Sequence, residues 1–426
     1  MSKRIYRFGK GYSGVWLTEM DIELLYLLWE HRILSLKELK YYSEELYGVK
    51  KVTLARKFQR WREEKIVTSK KYGDLTVHYR LAKNGYSILE AEGKIVQGDS
   101  HYKELSAPAN QLPHFFGIRD VVIRTLVEVR KLKQSVLSLA PATMPYFENG
   151  SESVKPIIIP DWIIANSKGF LNLEIDTGTE NQTEIEEKIE NYVKYTQQRS
   201  NEIHDVLIVV MDNKDKYFKY NKDFGKNRSR RVANVKKAVL AANAQNHSNL
   251  RFYVSPLCRA HYMACNILTG QSALSAAERS SEVDAIESLL QMNNQFDFEI
   301  TRLSGTDFYL PEVNSSLYAD GHLLLTKKGS DEKKVVLVKI MEEGSTECLD
   351  QLNYLNRLQA ESRYKRNVDK IIAFYRTTAE FENDSLGKPP LQNVIFGIKE
   401  ELMRDMGASP FTKNPSEFKK GIGTPL

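Results

Sequence analysis

Three carboxylates near the middle of the chain have the spacing of a metal-dependent phosphodiester chemistry. Asp161 follows Pro160 in an apolar run, and Glu174 and Asp176 stand two apart in Phe170-Leu171-Asn172-Leu173-Glu174-Ile175-Asp176. Side chains alternate along an extended strand, so residues two apart share a face. Carboxylates converging on one point repel unless a cation neutralises them, and hard oxygen ligands suit Mg²⁺ or Mn²⁺. Such an ion could activate water and stabilise charge on a scissile phosphate. Lys188 could bring an ammonium to the same place, and Glu128 and Glu180 are possible extra carboxylates. The plainer alternative is a set of polar residues on the wet face of a hairpin, with Lys188 an ordinary surface residue.

The elements that must position these groups can be read from periodicity. Residues 114–212 read as helix, strand, strand, strand, helix, strand: a first helix over 114–133, strands over 135–140, 157–164 and 170–176, a helix over 182–197 and an apolar strand over 206–211. Apolar strands flanked by helices belong to an α/β layer. Tyr192 and Tyr195 invite comparison with covalent tyrosine nucleophiles, but their helical spacing beside Ile185 and Ile189 favours core packing.

The N-terminal stretch predicts a DNA reader. Residues 1–110 hold 20 Lys/Arg against 14 Asp/Glu, so the whole net charge of +6 resides there. Thr18 and Ser35 are placed to cap two helices. A third helix, residues 51–65, buries Leu54, Phe58 and Trp61 and turns Lys50, Lys51, Arg56, Lys57, Arg60 and Arg62 outward. A strand, a Tyr72-Gly73-Asp74 turn and a returning strand over 76–81 would form a wing, and a last helix holds Tyr86, Ile88 and Leu89. Three helices and a hairpin in this order predict a winged helix whose third helix enters the major groove of double-stranded DNA, with Lys and Arg mostly on phosphates. The alternative is a winged helix that docks protein.

Pro160-Asp161…Glu174-x-Asp176 resembles the PD-(D/E)XK nuclease fold. Glu174-Ile175-Asp176-Thr177-Gly178-Thr179-Glu180 before Lys188 and Tyr192 is similar to the replication-relaxation family of plasmid and mobile-element proteins, in which His114 also matches a histidine near the helix start. That family begins with a winged helix, so the resemblance spans roughly residues 15–212. It also looks like the MobC-type relaxases, which join a winged helix to a restriction-endonuclease-like domain. The resemblance implies processing of plasmid DNA at an origin-like site during replication or transfer, with Asp161, Glu174, Asp176 and Lys188 as the nicking machinery. Asp176 stands where the nuclease motif usually has lysine, so Lys188 would act as a migrated one. The rival expectation keeps the DNA and drops the chemistry: a replication initiator, accessory factor or transcriptional regulator that uses the nuclease-like fold as a scaffold, with a homodimer as one arrangement.

The last third repeats the plan. Residues 317–323 match the Asp161 strand and residues 335–340 the Glu174 strand, and the interval from Glu174 to Val206 equals that from Lys339 to Ile371. In this register Lys339 replaces Glu174 and Met341 replaces Asp176, while Asp320 survives, so the second copy reads as degenerate. The expected architecture is therefore α+β and multidomain: a winged helix over 1–105, a nuclease-like α/β domain over 106–270 and a degenerate one over 271–426. Between the copies, residues 214–237 hold ten Lys/Arg interleaved with Tyr217, Phe218, Tyr220 and Phe224, densest at Arg228-Ser229-Arg230-Arg231. They read as a strand-gripping segment or a charged surface arm.

The 426 residues suffice for two or three cores, and 42% hydrophobic with 27% charged residues is normal for a globular chain. No run reaches the roughly 18 apolar residues of a membrane span, and Cys258, Cys265 and Cys348 are too few for a disulfide framework, so a cytoplasmic protein is expected. Cys258, His261 and Cys265 lack a fourth zinc ligand of suitable spacing. No phosphate-cradling Gly-Lys-Ser/Thr loop appears, so no nucleotide cofactor is expected.

Overall fold

The computed structural model describes residues 3–8, 14–72, 76–96, 112–140, 157–211, 228–386, 391, 393–407 and 409–411, and the fold is α+β. Two compact units emerge. The first comprises the described residues up to 140 with 159–167, the second residues 157–158, 168–211 and the described residues from 228 onward.

The first unit opens with an antiparallel ribbon, β1 (Lys3–Arg7) and β2 (Gly14–Thr18). Helix α1 (Glu19–His31) follows, started by a capping box in which Thr18 and Asp21 satisfy each other's backbone N–H groups. After β3 (Leu34–Ser35) a second box, Ser35 with Glu38, starts α2 (Leu36–Tyr47). Helix α3 (Lys51–Glu63), strands β4 (Val67–Tyr72) and β5 (Thr76–Leu81) and helix α4 (Lys83–Ala91) complete the segment. Its sheet is antiparallel in the order β3-β5-β4. Leu24, Leu28, Leu39, Leu54, Phe58, Trp61 and Ile66 form the core that holds α3 by its apolar stripe.

Helix α5 (Leu112–Lys131) and the antiparallel pair β6 (Leu137–Leu139) and β7 (Trp162–Asn166) finish the first unit. Here the structure departs from the sequence reading. The strand expected over 157–164 starts only at Trp162, because Pro160 has no N–H to give a ladder and Ile159 is exposed. Asp161 thus precedes the strand rather than lying on it.

The second unit contains two similar halves. The first runs β8 (Gly169–Asp176), α6 (Gln182–Gln197), β9 (His204–Val210), α7 (Arg228–Ala241), β10 (Leu250–Pro256) and α8 (Leu257–Thr269), with β8, β9 and β10 parallel. The second begins with α9 (Ala276–Met292), β11 (Phe298–Arg302), β12 (Gly321–Lys327) and β13 (Lys333–Ile340). It ends with α10 (Thr346–Ala360), β14 (Lys370–Tyr375), α11 (Thr378–Asn383), β15 (Val394–Ile398) and α12 (Lys399–Arg404). Strands β11, β12 and β13 are antiparallel neighbours, and β13, β14 and β15 are parallel. The repeat is in register: Asn172 lies opposite Val206 and Leu337 opposite Ile371, partners 34 positions apart in both halves.

A tight joint connects the halves. Val254 N–H donates to Gly344 O at 2.9 Å, and Gly344 has φ +73 with space for a Cβ only 2.8 Å from Val254 O, so the approach requires glycine. Lys236 on α7 pairs with Asp384, and both side chains are almost wholly buried; Tyr375 donates its hydroxyl to the same carboxylate at 2.9 Å. No helix among the described residues is long and apolar enough to cross a membrane.

Candidate functional site

Helix α3 shows a mixed basic face. Lys50, Arg56, Arg60 and Arg62 are exposed, and Lys51 opens the helix. Arg60 donates to Gly14 O at 3.1 Å and Arg62 to Ser69 Oγ at 3.3 Å. Lys57 differs from these: it forms an ion pair with Asp21, whose carboxylate is 1% exposed and already serves the α1 cap. What remains outward is a set of guanidinium groups on one helix beside a two-stranded hairpin, a shape that fits a groove lined with phosphates.

In the first unit, Asp161 meets His114 of α5, with Oδ2 2.9 Å from Nε2 and both side chains partly exposed. A carboxylate bonded to one imidazole nitrogen fixes the ring's tautomer and orientation.

In the second unit, β8 brings Glu174 and Asp176 to one strand end, each 2% exposed. Helix α6 starts on a capping box between Asn181 and Glu184 and packs Ile185, Ile189, Tyr192 and Tyr195 inward. That face carries partners for Glu174: Tyr192 donates its hydroxyl to Oε1 at 2.6 Å, and Lys188 Nζ lies 3.2 Å from Oε2 and 2.9 Å from Glu180 Oε1. Helix α7 supplies the partner for Asp176. Arg231 forms a fork through Nε and Nη2 at 2.6 and 2.9 Å, Gly178 N–H adds a bond at 2.8 Å, and the guanidinium also reaches Glu180 O at 2.7 Å. The fork on Asp176 raises the Arg231 pKa above its ordinary value. Each carboxylate of the acidic strand is therefore neutralised by a cation from a different helix.

Sequence reasoning grouped Asp161 with Glu174, Asp176 and Lys188; in the structure Lys188 pairs with Glu174, two positions before Asp176, while Asp161 pairs with His114 in the first unit. It placed Arg231 among DNA contacts, with Arg228 and Arg230. Arg230 is exposed and Arg228 half-buried, whereas Arg231 faces the acidic strand. Nothing in the local sequence separates these three arginines; the helical register of α7, which turns Val232, Val235 and Ala238 inward, does. Tyr217, Phe218, Tyr220 and Phe224 lie outside the described residues. Glu128 bonds Tyr41 and Lys131. Cys258, His261 and Cys265 all lie on α8, and among the described residues no group of three His, Cys, Asp or Glu side chains is arranged to hold a metal ion.

In the second half, Lys339 stands in place of Glu174. Its ammonium is 3.2 Å from Asp320, which also accepts from Ile340 N–H at 2.7 Å and lies 3.5 Å from Arg279. Arg279 pairs as well with Glu342. Met341, in place of Asp176, is buried in the core. Arg279, Asp320, Lys339 and Glu342 border a cavity of about 390 Å³.

No curated protein matches the chain. Residues 25–210, from within α1 to the last residue of β9, match the model of the replication-relaxation family.

Proposed function

We propose that this is a DNA-binding protein of plasmid or mobile-element replication or transfer, which holds an origin-like duplex through a winged helix and uses two restriction-endonuclease-like halves as a scaffold. The observation that carries the reading is α3: a buried apolar stripe, an outward row of Arg56, Arg60 and Arg62, and a following hairpin in a sheet of order β3-β5-β4. The family match over residues 25–210 supports the replication or transfer setting. A role as initiator, accessory factor or regulator is supported by the bonds that both oxygens of Asp176 and both of Glu174 accept from Arg231, Lys188 and Tyr192.

A second reading, Mg²⁺- or Mn²⁺-dependent nicking, is favoured by one observation: two carboxylates and Lys188 meet at the end of a parallel strand, where α/β sheets place ligands. A divalent ion there would have to displace Arg231 and the Lys188 ammonium, so the resting geometry does not fit it. The test uses supercoiled DNA of the protein's own replicon with Mg²⁺ or Mn²⁺. Binding without strand breaks is expected; relaxed circles that vanish in Glu174→Ala and Asp176→Ala would install the nicking reading. Failure to bind any duplex at low salt would overturn both.

A further inference from the structure

The β1–β2 ribbon lies outside the stretch that the family model matches. Its two faces differ in kind. Tyr6, Val15 and Leu17 belong to or pack against the core, while Arg4 and Tyr6 both bond Glu92 at the end of α4. This anchors one face. The other carries the cross-strand pair Ile5 and Trp16, which are 38% and 56% exposed, with exposed Lys3 and Arg7 at the same alternation. Gly14 belongs to this face, and a Cβ there would come within 2.7 Å of Ile5, so glycine lets the isoleucine lie across the ribbon beside the indole. The result is a flat apolar plate bounded by cations. It joins α3 directly, because Arg60 donates to Gly14 O.

Adjoining exposed apolar side chains rimmed by charged ones mark a binding surface more often than a single exposed hydrophobic does. A base has a π-face for any aromatic platform, and flanking Lys and Arg follow the phosphates on either side, the combination that grips unpaired strands. We propose that the outward face of the β1–β2 ribbon is a stacking platform for an unpaired base, with Trp16 as the platform and Lys3 and Arg7 as its phosphate contacts. It would hold a single-stranded segment beside the duplex on α3, as at an opened origin. The inference rests on the duplex-binding reading for its setting and on the ribbon alone for its chemistry.

The test compares the full chain with Trp16→Ala and Trp16→Phe on three labelled DNAs: a blunt duplex, the same duplex with a short thymidine tail, and the tail alone, by fluorescence anisotropy. Loss of stacking should weaken tailed and single-stranded DNA about tenfold in Trp16→Ala, leave the blunt duplex within about twofold, and be largely restored by the Phe ring. Equal loss on all three DNAs, or loss on none, overturns the platform. So does a shift of Trp16→Ala to a smaller species in sedimentation, which would make the plate a self-association face. If the wild type binds tail but no duplex, the duplex reading falls and the platform stands.

Discussion

Helices α3 and α7 are both dense in Lys and Arg, and their cations have different employments. Among the described side chains of α3, Lys57 meets a buried acid, Asp21, while Arg56 and Arg62 remain at the surface. On α7 Arg231 closes on Asp176 and Lys236 is buried against Asp384, leaving Arg230 and Lys237 exposed. The reason is the packing. Helix α3 buries one stripe of Leu54, Phe58 and Trp61, whereas α7 packs inward between strand ends and the second half, where the carboxylates of Asp176 and Asp384 are buried. Positive charge on a helix is therefore no sign of a polyanion surface where a buried acid stands opposite, because burying a carboxylate without a cation is expensive.

The contrast breaks most sharply at Lys236. Lys236→Met leaves Asp384 buried with the Tyr375 hydroxyl and Ser385 N–H but with no cation among the described residues, and should destabilise the chain by about 3–5 kcal/mol in urea unfolding. Adding Asp384→Asn should recover a large part of that loss, because the uncompensated charge is then gone. A loss under about 1 kcal/mol would mean that the pair is wetter than its burial implies.

Arg231→Ala comes next. The guanidinium is itself about one-fifth exposed, and Gly178 N–H stays on Asp176, so a loss of about 2–3 kcal/mol is expected. This variant also sharpens the choice between scaffold and nuclease. With the fork removed, Mg²⁺ or Mn²⁺ should raise its melting temperature if Glu174 and Asp176 can share an ion, and leave that of the wild type unchanged.

Much of this architecture was legible beforehand, and the limits have physical causes. The boxes Thr18 with Asp21 and Ser35 with Glu38 are local hydrogen-bonding devices, so the starts of α1 and α2 follow from four consecutive residues. Helix α6 spans the residues its periodicity predicts, and the register linking Glu174 to Lys339 holds because strand spacing survives the loss of the acids. The β1–β2 ribbon escaped notice because its apolar residues are few and its outward face keeps Ile5 and Trp16 in water, masking the alternation. Helix α7 was hidden in a basic run whose inward stripe, Val232, Val235 and Ala238, is thin. Lys188 was read as a neighbour of Glu174, but the bonds of Asp161 with His114, Glu174 with Tyr192 and Asp176 with Arg231 were not, since these partners lie 47, 18 and 55 positions away.

The smallest effects separate the cations within α3. Lys57→Met should cost about 1–2 kcal/mol of stability, because Asp21 stays buried but retains its hydrogen bonds with Thr18. Arg56→Ala should leave stability within about 0.5 kcal/mol, since the side chain is exposed. In duplex binding the order reverses. A phosphate contact contributes about 0.9 to the slope of log affinity against log salt, so Arg56→Ala should flatten that slope by nearly one unit and weaken binding several-fold at low salt for any sequence. Lys57→Met, once folded, should bind with the wild-type slope, because its ammonium is engaged by Asp21. Titrations of both variants at several salt concentrations decide the matter: equal slopes for Arg56→Ala and wild type would remove α3 from the DNA surface, and a flattened slope for Lys57→Met would show that the Asp21 pair opens on binding.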